Sequence, residues 1–534
     1  MATVSAAVAA PHFQASQIGS EIFFAGGNAF DAAVAVSLAI GVTQPYHSGI
    51  GGGCNITFYT GDQGHHINAR GPAPKNISPE MFYEEGQVNY NKVQSGPLAV
   101  TIPSLIAGLE QLHTGRGKLP WSDLCNRVAE LARSKLKVDF MLANVYGNEE
   151  TRAKIANFGK GSVFEHPLVE GETYRQENLA ETLEVLGKGT RSLYQGELAQ
   201  AMIATLDKLG GVLSLDDLAQ YKAQVTELYS FAYRDWHILA PGLPTIGALQ
   251  TQLALKILKA FPVRDLGHNS KDYLDLVANV IKTTYIKRAE LGPTEISQVL
   301  SSDDVARELA KALESRQIGA LLDADTGSES CTSHFCVADD EGNVVSQTQT
   351  IRSHFGSGVV DLATGIILND SIGDFSLRAG ETTTQGIHYK GNFNLLEGGK
   401  EPASSQSPLI ALHKETGDVI AAGAAGGPKI VSATLQTLLN QIDFDLSAQL
   451  AVALPRIHNH GKHSYLESAG QTAKDLEMLG HELGPFGANG IAQTLRKHKD
   501  SWQAGSDPRG PGGSCLLIDK AKKVVRQYGY TNEQ

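Results

Sequence analysis

The 534-residue chain contains few cysteines and no long apolar run. Its five cysteines, at positions 54, 125, 331, 336 and 515, are sparse, odd in number and include no Cys-x-x-Cys spacing. This pattern argues against a disulfide framework and favours a reducing compartment. Because the N-terminal stretch MATVSAAVAAPHFQ has no basic region, we expect no secretory signal and a cytoplasmic protein.

The longest apolar stretch is DAAVAVSLAIGV, with about 11 residues after Asp31. Since a bilayer span needs about 20 residues, this segment predicts a buried helix and not a membrane anchor. The formal charge of −12 and the pI near 5.8 argue against nucleic acid and anionic membranes as partners. The hydrophobic content of 42% and the charged content of 19% are typical of a globular protein.

The chain changes character near residue 320. Helical patterns such as TIGALQTQLALKILKAF dominate before this point, and glycine-rich SGIGGGCNITFYT adds a strand near the start. The segment LLDADTGSES, at 321–330, has the composition of a flexible acidic loop. Strand-like runs follow it, including HFCVAD, NVVSQTQTI, SPLIALH and DVIAAGA, and the tail SCLLID and KVVRQYGY predicts a final strand pair.

A β-hairpin is predicted directly after the acidic loop. The turn signal DDEGN, taken as a five-residue loop at 339–343, places Ala338 opposite Val344 and Thr332 opposite Thr350. Opposed side chains in an antiparallel pair have Cβ atoms about 4.5–5.5 Å apart, so the two hydroxyls would meet at the open end of the hairpin. Taken alone, the residues favour the simpler interpretation that threonine is a good strand former.

The neighbours Cys331, Thr332, Ser333 and His334 each carry a group that could act as nucleophile or base. A reactive cysteine needs a neighbour that lowers its pKa, and closeness of His334 in sequence does not ensure closeness in space. If the chain were cut before Thr332, the new α-amine, with a pKa of about 7.7–8.0, would be a base beside the hydroxyl. The acidic loop could tolerate a cut. We interpret Ser333 and His334 as strand residues.

The chain as a whole resembles the gamma-glutamyltranspeptidase family of N-terminal-nucleophile hydrolases. In the first part, the resemblance rests on AGGNAFDAAVAVSLAIGVTQP, SGIGGG, NARGPAP, GPLAVTIPSLIAGLE and YQGELAQAMIATLDKLGGVLSLDDLAQY. In the second part, it rests on TSHFCVADDEGNVVSQTQT, FGSGVV, GIILNDSIGDFS, PASSQSP and GAAGGPKI. So many motifs in the right order are a more specific signal than a lone glycine-rich loop.

The resemblance implies an α+β fold, a four-layer αββα sandwich, and a precursor that cleaves itself between Cys331 and Thr332. It implies a helix-rich large fragment, 1–331, and a strand-rich small fragment, 332–534, which stay associated as one intertwined catalytic domain. Thr332 would attack a substrate amide and form an acyl-enzyme that water or an amine resolves. The implied substrates are small γ-glutamyl amides, glutathione and its conjugates among them, and no cofactor is implied.

Site residues carry over from the family by position. Thr350 matches a second threonine, which orients Thr332. Gly426 and Gly427 match glycines that bind an oxyanion through their N–H groups, and such donors can contribute about 2.7–4 kcal/mol each in the transition state.

Four further matches concern the substrate head group. Arg70 matches an arginine that binds an α-carboxylate, a task that suits its planar fork. Asp374 matches the carboxylate that binds an α-ammonium, and Ser404 and Ser405 match a serine pair near the head group.

Three positions depart from the family pattern. Gly71 stands where an acidic residue is usual, Arg352 where an asparagine is common, and Ser371 where a glutamine or glutamate helps to hold the α-amine. Half of the usual amine-binding set is therefore missing, and Arg352 adds a positive charge. These departures predict a substrate with an extra acidic group or without a free α-amine.

We expect no metal site, because the histidines of RIHNHGKH have no carboxylate or cysteine at a convincing spacing. The leading hypothesis is an autoprocessed amidohydrolase or transpeptidase for γ-glutamyl-like amides. The first alternative is an acylase or specialised amidase of the same fold that cleaves a non-glutamyl or extra-acidic amide. The second alternative is an unprocessed pseudoenzyme that acts as a binding scaffold.

Overall fold

The computed structural model describes residues 4–226, 228–292, 295–317 and 331–510, and the backbone of strands 514–519 and 524–528. Its α-helices are α1 Phe13–Phe24, α2 Ala29–Thr43, α3 Tyr90–Gln94, α4 Leu105–His113, α5 Trp121–Arg133, α6 Phe140–Val145, α7 Glu149–Phe158, α8 Glu177–Lys188, α9 Ser192–Gln195, α10 Glu197–Leu209, α11 Leu215–Gln220, α12 Ile246–Leu258, α13 Lys271–Glu290, α14 Ile296–Leu300, α15 Asp303–Glu314, α16 Lys429–Ile442, α17 Ala448–Ala453 and α18 Gln471–Met478. Short 3-10 helices are Pro79–Phe82, Pro97–Ala99 and Ser371–Asp374.

The β-strands are β1 Ala6–Ala10, β2 Gly53–Thr60, β3 Gly64–Ala69, β4 Tyr83–Glu84, β5 Gln87–Val88, β6 Leu136–Lys137, β7 Thr173–Tyr174, β8 Gln224–Thr226, β9 Leu228–Tyr233, β10 Trp236–Pro241, β11 Cys331–Ala338, β12 Asn343–Arg352, β13 Val360–Asp361, β14 Ile366–Ile367, β15 Leu409–His413, β16 Val419–Ala425, β17 Ile457–Asn459, β18 His463–Leu466, β19 Glu482–Leu483, β20 Ile491–His498, β21 Ser501–Ser506, β22 Ser514–Asp519 and β23 Val524–Tyr528.

Two antiparallel sheets form the centre of the molecule. The eight-stranded sheet has the order β23-β22-β1-β11-β12-β2-β3-β8, and the six-stranded sheet has the order β21-β20-β16-β15-β10-β9. A small apolar cluster lies between the sheets, and larger clusters join each sheet to its own helices, with α1, α2, α4 and α5 on one side and α12, α13, α15 and α16 on the other. The predicted four-layer αββα sandwich is confirmed.

The buried helix predicted from DAAVAVSLAIGV is α2, and every one of its residues is buried. The Asn28 side chain accepts hydrogen bonds from the N–H groups of Phe30 and Asp31, and the Asp31 carboxylate accepts one from the N–H of Asn28. This reciprocal capping box satisfies donors that would otherwise be orphaned at the helix start. A helix apolar on all faces can therefore begin inside the protein.

The predicted hairpin is β11 and β12, and its register follows the sequence expectation up to one point. Ala338 pairs with Val344, and the same register continues to Ser333 and Gln349. The next pair is Cys331 and Arg352, so one extra residue has entered β12. This β-bulge lies beside Thr332, and bulges of this kind re-aim side chains near active sites.

Several elements were not predicted from the sequence. Before residue 320, β8 to β10 add strands to both sheets, and near the C-terminus β20 and β21 extend the six-stranded sheet. The predicted final pair, β22 and β23, is confirmed. The predicted acidic loop at 321–330 lies outside the described residues.

Two further findings bear on the sequence expectations. Cys54, Cys125, Cys331 and Cys336 are buried and form no disulfide in the described part of the chain. None of the helices that the structure describes is both long and apolar enough to cross a membrane.

Asp339 ties the hairpin turn to α2, and its loss should destabilise the fold. Its carboxylate accepts hydrogen bonds from the N–H of Ala29, from the N–H groups of Glu341 and Asn343, and from the Asn343 amide. Because buried donors lose their partner, Asp339→Ala should lower the free energy of unfolding by about 3 kcal/mol. Urea denaturation measures the change, with the exposed neighbour Asp340→Ala as control; equal stability of the two variants would contradict the expectation.

Candidate active site

Thr332 and Thr350 meet at the β-bulge. The Thr332 hydroxyl donates to Thr350 Oγ1 across 3.5 Å, and both residues are 5% exposed. Thr350 Oγ1 also accepts a hydrogen bond of 2.7 Å from the N–H of Arg352. The sequence therefore placed the two hydroxyls correctly, although the bulge, and not a regular register, sets their geometry.

The Thr350 hydroxyl also donates a short hydrogen bond to the carbonyl oxygen of Cys331. This carbonyl belongs to the peptide bond that joins Cys331 to Thr332. The hydrogen bonds thus run from the Thr332 hydroxyl to Thr350, and from Thr350 to the carbonyl oxygen. Such a chain can remove a proton from an attacking hydroxyl and polarise the carbonyl that it attacks.

A cavity opens beside Thr332. Of the residues that the sequence assigned to the site, it is lined by Arg70, Thr332, Thr350, Arg352, Asp374, Ser404, Ser405 and Gly427. These residues come from six separate stretches of the chain. Cys331, Ser371 and Gly426 are not among the lining residues, and Ser371 instead begins the 3-10 helix that carries Asp374.

Gly426 and Gly427 form the turn between β16 and α16. Their φ angles are +121° and +57°, values that favour glycine because a Cβ would be strained there. A Cβ on Gly426 would also lie 3.0 Å from the Cα of Gly490. The turn and the start of α16 supply backbone N–H groups and a positive dipole end on the side of the cavity where Gly427 lies.

Asp374 lies between two arginines. Arg70 Nη2 is 2.6 Å from Asp374 Oδ2, and Arg352 Nε is 2.9 Å from Asp374 Oδ1. Gln385 Nε2 adds a hydrogen bond of 3.3 Å to Oδ1. This ion-paired carboxylate is the feature that distinguishes the head-group end of the cavity.

Arg352 is only 3% exposed, and each nitrogen of its guanidinium has a partner. Its Nη1 is 2.9 Å from the buried carboxylate of Asp370, and its Nη2 donates to the carbonyl of Gly373 at 3.1 Å and to Thr384. Burial works against the charge, but the ion pairs with Asp370 and Asp374 outweigh it and raise the pKa of Arg352. Its backbone has φ +85°, which is rare outside glycine.

Two glycines, Gly373 and Gly71, lie where the neighbouring atoms leave no room for a side chain. A Cβ on Gly373 would lie 2.5 Å from Arg352 Cζ, so glycine leaves the space that the guanidinium fills. A Cβ on Gly71 would lie 1.7 Å from the carbonyl oxygen of Ile102. An acidic side chain therefore cannot occupy position 71 with this backbone.

Arg288 lines the cavity and was missed from the sequence. It is 1% exposed, its Nη1 donates to Gln250 at 2.7 Å and to Ser405 at 3.1 Å, and its Nη2 donates to Tyr389. Burial lowers its pKa to about 10, so it stays charged at neutral pH. The signal was its helical spacing, since Ile281, Thr284 and Arg288 share the buried face of α13.

The histidine adjacent to the nucleophile has a structural environment. His334 is buried, its ring contacts the Thr348 hydroxyl and the Cys336 sulfur, and burial lowers its pKa to about 3. Its ring fills the space that a Cβ on Gly423 would need. It therefore stays neutral and packs between the sheets, as expected of a strand residue.

Within RIHNHGKH, the ring nitrogens His458 Nε2 and His460 Nδ1 lie 2.7 Å apart. In the described residues, the group that could converge on a metal ion is His47, Cys331 and His354, whose ligand atoms lie within 4.8 Å of one another. Burial, and then the neighbouring His354, lowers the pKa of His47. Cys331 therefore lies near two imidazoles, and burial lowers the pKa of His354 to about 4.

Comparison with known proteins agrees with this architecture. A sequence model of the gamma-glutamyltranspeptidase family matches residues 15–517. A glutathione hydrolase proenzyme of Pseudomonas aeruginosa is 32% identical over 529 residues, which cover 96% of this chain and 94% of the relative.

Solved structures show the same relationship. A cephalosporin acylase from Bacillus halodurans superposes with a TM-score of 0.81 at 25% identity, over 96% of both chains. A gamma-glutamyltranspeptidase from Pseudomonas nitroreducens superposes with a TM-score of 0.53 at 29% identity, over 57% of this chain and 92% of that chain. The chain belongs to the gamma-glutamyltranspeptidase family, whose members are enzymes that act on small molecules and are processed from a precursor.

Proposed function

We propose that the protein is an autoprocessed amidohydrolase or transpeptidase that acts through an acyl-Thr332 intermediate. The observation that supports this most directly is the hydrogen-bond chain from the Thr332 hydroxyl through Thr350 to the Cys331 carbonyl. Family membership, the cavity beside Thr332 and the glycine turn at 426–427 agree with it.

Processing would begin with attack of Thr332 Oγ1 on the carbonyl carbon of Cys331. The hydroxyl proton passes to Thr350, and the Thr350 proton moves toward the developing oxyanion on Cys331 O. Collapse of the intermediate breaks the C–N bond, and the proton on the former carbonyl oxygen passes to the leaving nitrogen. An ester with a new α-amine at Thr332 remains. Water then hydrolyses the ester and gives fragments 1–331 and 332–534, which both sheets hold together because each contains strands from both fragments.

Turnover would use the same atoms on a substrate amide. The α-amine of Thr332, with a pKa of about 7.7–8.0, accepts the hydroxyl proton as Oγ1 attacks. N–H donors at the glycine turn stabilise the oxyanion, and the proton then leaves with the amine product. Water or an amine attacks the ester and releases the acid or a new amide, which frees Thr332 for another cycle.

Two acyl groups are candidates for this cycle. The relative from Pseudomonas aeruginosa is a glutathione hydrolase proenzyme, which supports γ-glutamyl amides such as glutathione and its conjugates. The ion pairs of Asp374 with Arg70 and Arg352 favour the alternative, an acylase for another acidic acyl group. The likeness to a cephalosporin acylase supports that alternative.

Replacing Thr332 by alanine should abolish processing, because the nucleophile is lost. Denaturing gel electrophoresis should show two bands for the natural chain, near 331 and 203 residues, and one band of 534 residues for Thr332→Ala. Ser333→Ala is the matched control and should still be cut. Cleavage of Thr332→Ala would show that another residue is the processing nucleophile, and an intact natural chain would favour the scaffold alternative.

Removing the Thr350 hydroxyl should slow processing, since it donates to the carbonyl that is attacked. Loss of one such donor costs roughly 100-fold or more in rate, so Thr350→Val should accumulate precursor while Thr350→Ser should recover most of the rate. The measurement is the conversion of purified precursor with time on a gel, with the melting temperature checked in parallel. Processing of Thr350→Val at the natural rate would remove Thr350 from the mechanism.

A further inference from the structure

The cavity beside Thr332 is positively charged. The charged side chains that line it are Arg70, Arg288, Arg352 and Asp374, three cations against one anion. Asp370 lies behind Arg352 and balances one more cation. Glu401 and Lys154, which interact electrostatically with Arg70 and Arg352, add one charge of each sign. Net positive charge in a buried cavity favours an anionic ligand.

Asp374 has little capacity left for a ligand. A carboxylate offers about four acceptor positions, and Arg70, Arg352 and Gln385 already donate to its two oxygens. An ammonium group bound there would have to lie against two guanidinium groups of the same charge. The carboxylate that the family pattern assigns to an α-ammonium is thus already neutralised by the protein.

Arg352 cannot move aside at low cost. Its guanidinium is paired with Asp370, which is itself fully buried, and it fills the space beside Gly373. Turning it away would leave the Asp370 carboxylate buried without its cation, and breaking such a pair is strongly destabilising. The arginine is therefore a fixed wall of the cavity.

Donors for a carboxylate remain at the same end of the cavity. Among the hydrogen bonds of the described residues, Arg70 uses only Nη2, and its Nε is buried without a partner. Arg288 donates to the oxygen of Ser405, which leaves the hydrogen of that hydroxyl to point elsewhere. Ser404 Oγ likewise accepts from the N–H of Gln406. Arginine and two hydroxyl donors suit a carboxylate.

We propose that the acyl group of the substrate ends in a carboxylate and carries no ammonium, so that the substrate class is the amides of dicarboxylic acids, of glutaryl type. The inference rests on the proposed amide cleavage at Thr332. A glutaryl group equals a γ-glutamyl group without its α-amine, so it keeps the spacing between the carboxylate and the scissile amide. Its carboxylate would bind Arg70 and the serine pair, and it has no ammonium group that would need Asp374.

The test compares two substrates that differ only in the ammonium group. The processed natural enzyme is assayed with glutaryl-p-nitroanilide and γ-L-glutamyl-p-nitroanilide, and p-nitroaniline release gives kcat/KM for each. The glutaryl compound should be preferred at least tenfold. An equal or reversed preference would overturn the inference.

Arg352→Asn tests the cause of the preference. It should lower the glutaryl to γ-glutamyl ratio of kcat/KM at least tenfold, mainly through a lower KM for the γ-glutamyl compound. Arg127→Asn, an exposed arginine on α5, is the matched control and should keep the natural ratio. An unchanged ratio in a folded Arg352→Asn enzyme would remove Arg352 from the explanation and overturn the inference.

Direct binding keeps the inference testable if the variant does not fold or turnover fails. Calorimetry on the processed natural enzyme should show glutarate binding at least tenfold more tightly than L-glutamate, and equal or weaker binding of glutarate would contradict the inference. Mass spectrometry of acyl-Thr332 tests the proposed function separately. Absence of an adduct with both anilides would reject amide cleavage, whereas an adduct with the γ-glutamyl compound in preference to the glutaryl compound would reject only the substrate class.

Discussion

The carboxylate of Asp374 is the interaction on which the rest of the site depends. It joins Arg70, at the end of β3, to Arg352, at the end of β12, and so ties two strands to the 3-10 helix Ser371–Asp374. Buried ion pairs add little to stability, because desolvation offsets much of the attraction. Here the ion pairs fix the shape and the charge of the cavity wall, and so they contribute to substrate specificity more than to stability.

Arg352 links that wall to the chemistry. Its backbone N–H orients Thr350, and its guanidinium holds Asp374. Both functions depend on the β-bulge, because the extra residue in β12 sets the backbone of Arg352 at positive φ. A strained backbone at such a position persists only when the surroundings determine it, and here the ion pairs with Asp370 and Asp374 and the space beside Gly373 do so.

Much of the fold could be predicted because it rests on local signals. The buried helix α2, the turn of the hairpin and the register from Ser333 to Ala338 follow from apolar pattern and turn chemistry. The strands β8 to β10 and β20 to β21 were missed, since short strands depend on their neighbours in the sheet as much as on their own residues. The bulge at Thr332 was also missed, because hairpin register counted from the turn assumes regular pairing.

The site residues also divide into those that the sequence could predict and those that it could not. Sequence comparison with the family named half of the residues that line the cavity. No motif pointed to Arg288, which reaches the cavity from helix α13. Sequence also could not show that Asp374 is shared, because the sharing depends on side chains 304 and 22 residues apart in the chain. The sequence showed that these three positions are charged, but it did not show which of the charges pair.

The pairing of β1 with β22 has a consequence for the order of the chain. These strands come from opposite ends of the sequence yet are neighbours in the eight-stranded sheet, and β1 also pairs with β11, which begins at the nucleophile. The fold therefore requires the strands to be adjacent and does not require their order along the chain. A circularly permuted gene that starts at Thr332 and joins the old ends would place the same strands in the same sheet, and would present the threonine amine without self-cleavage.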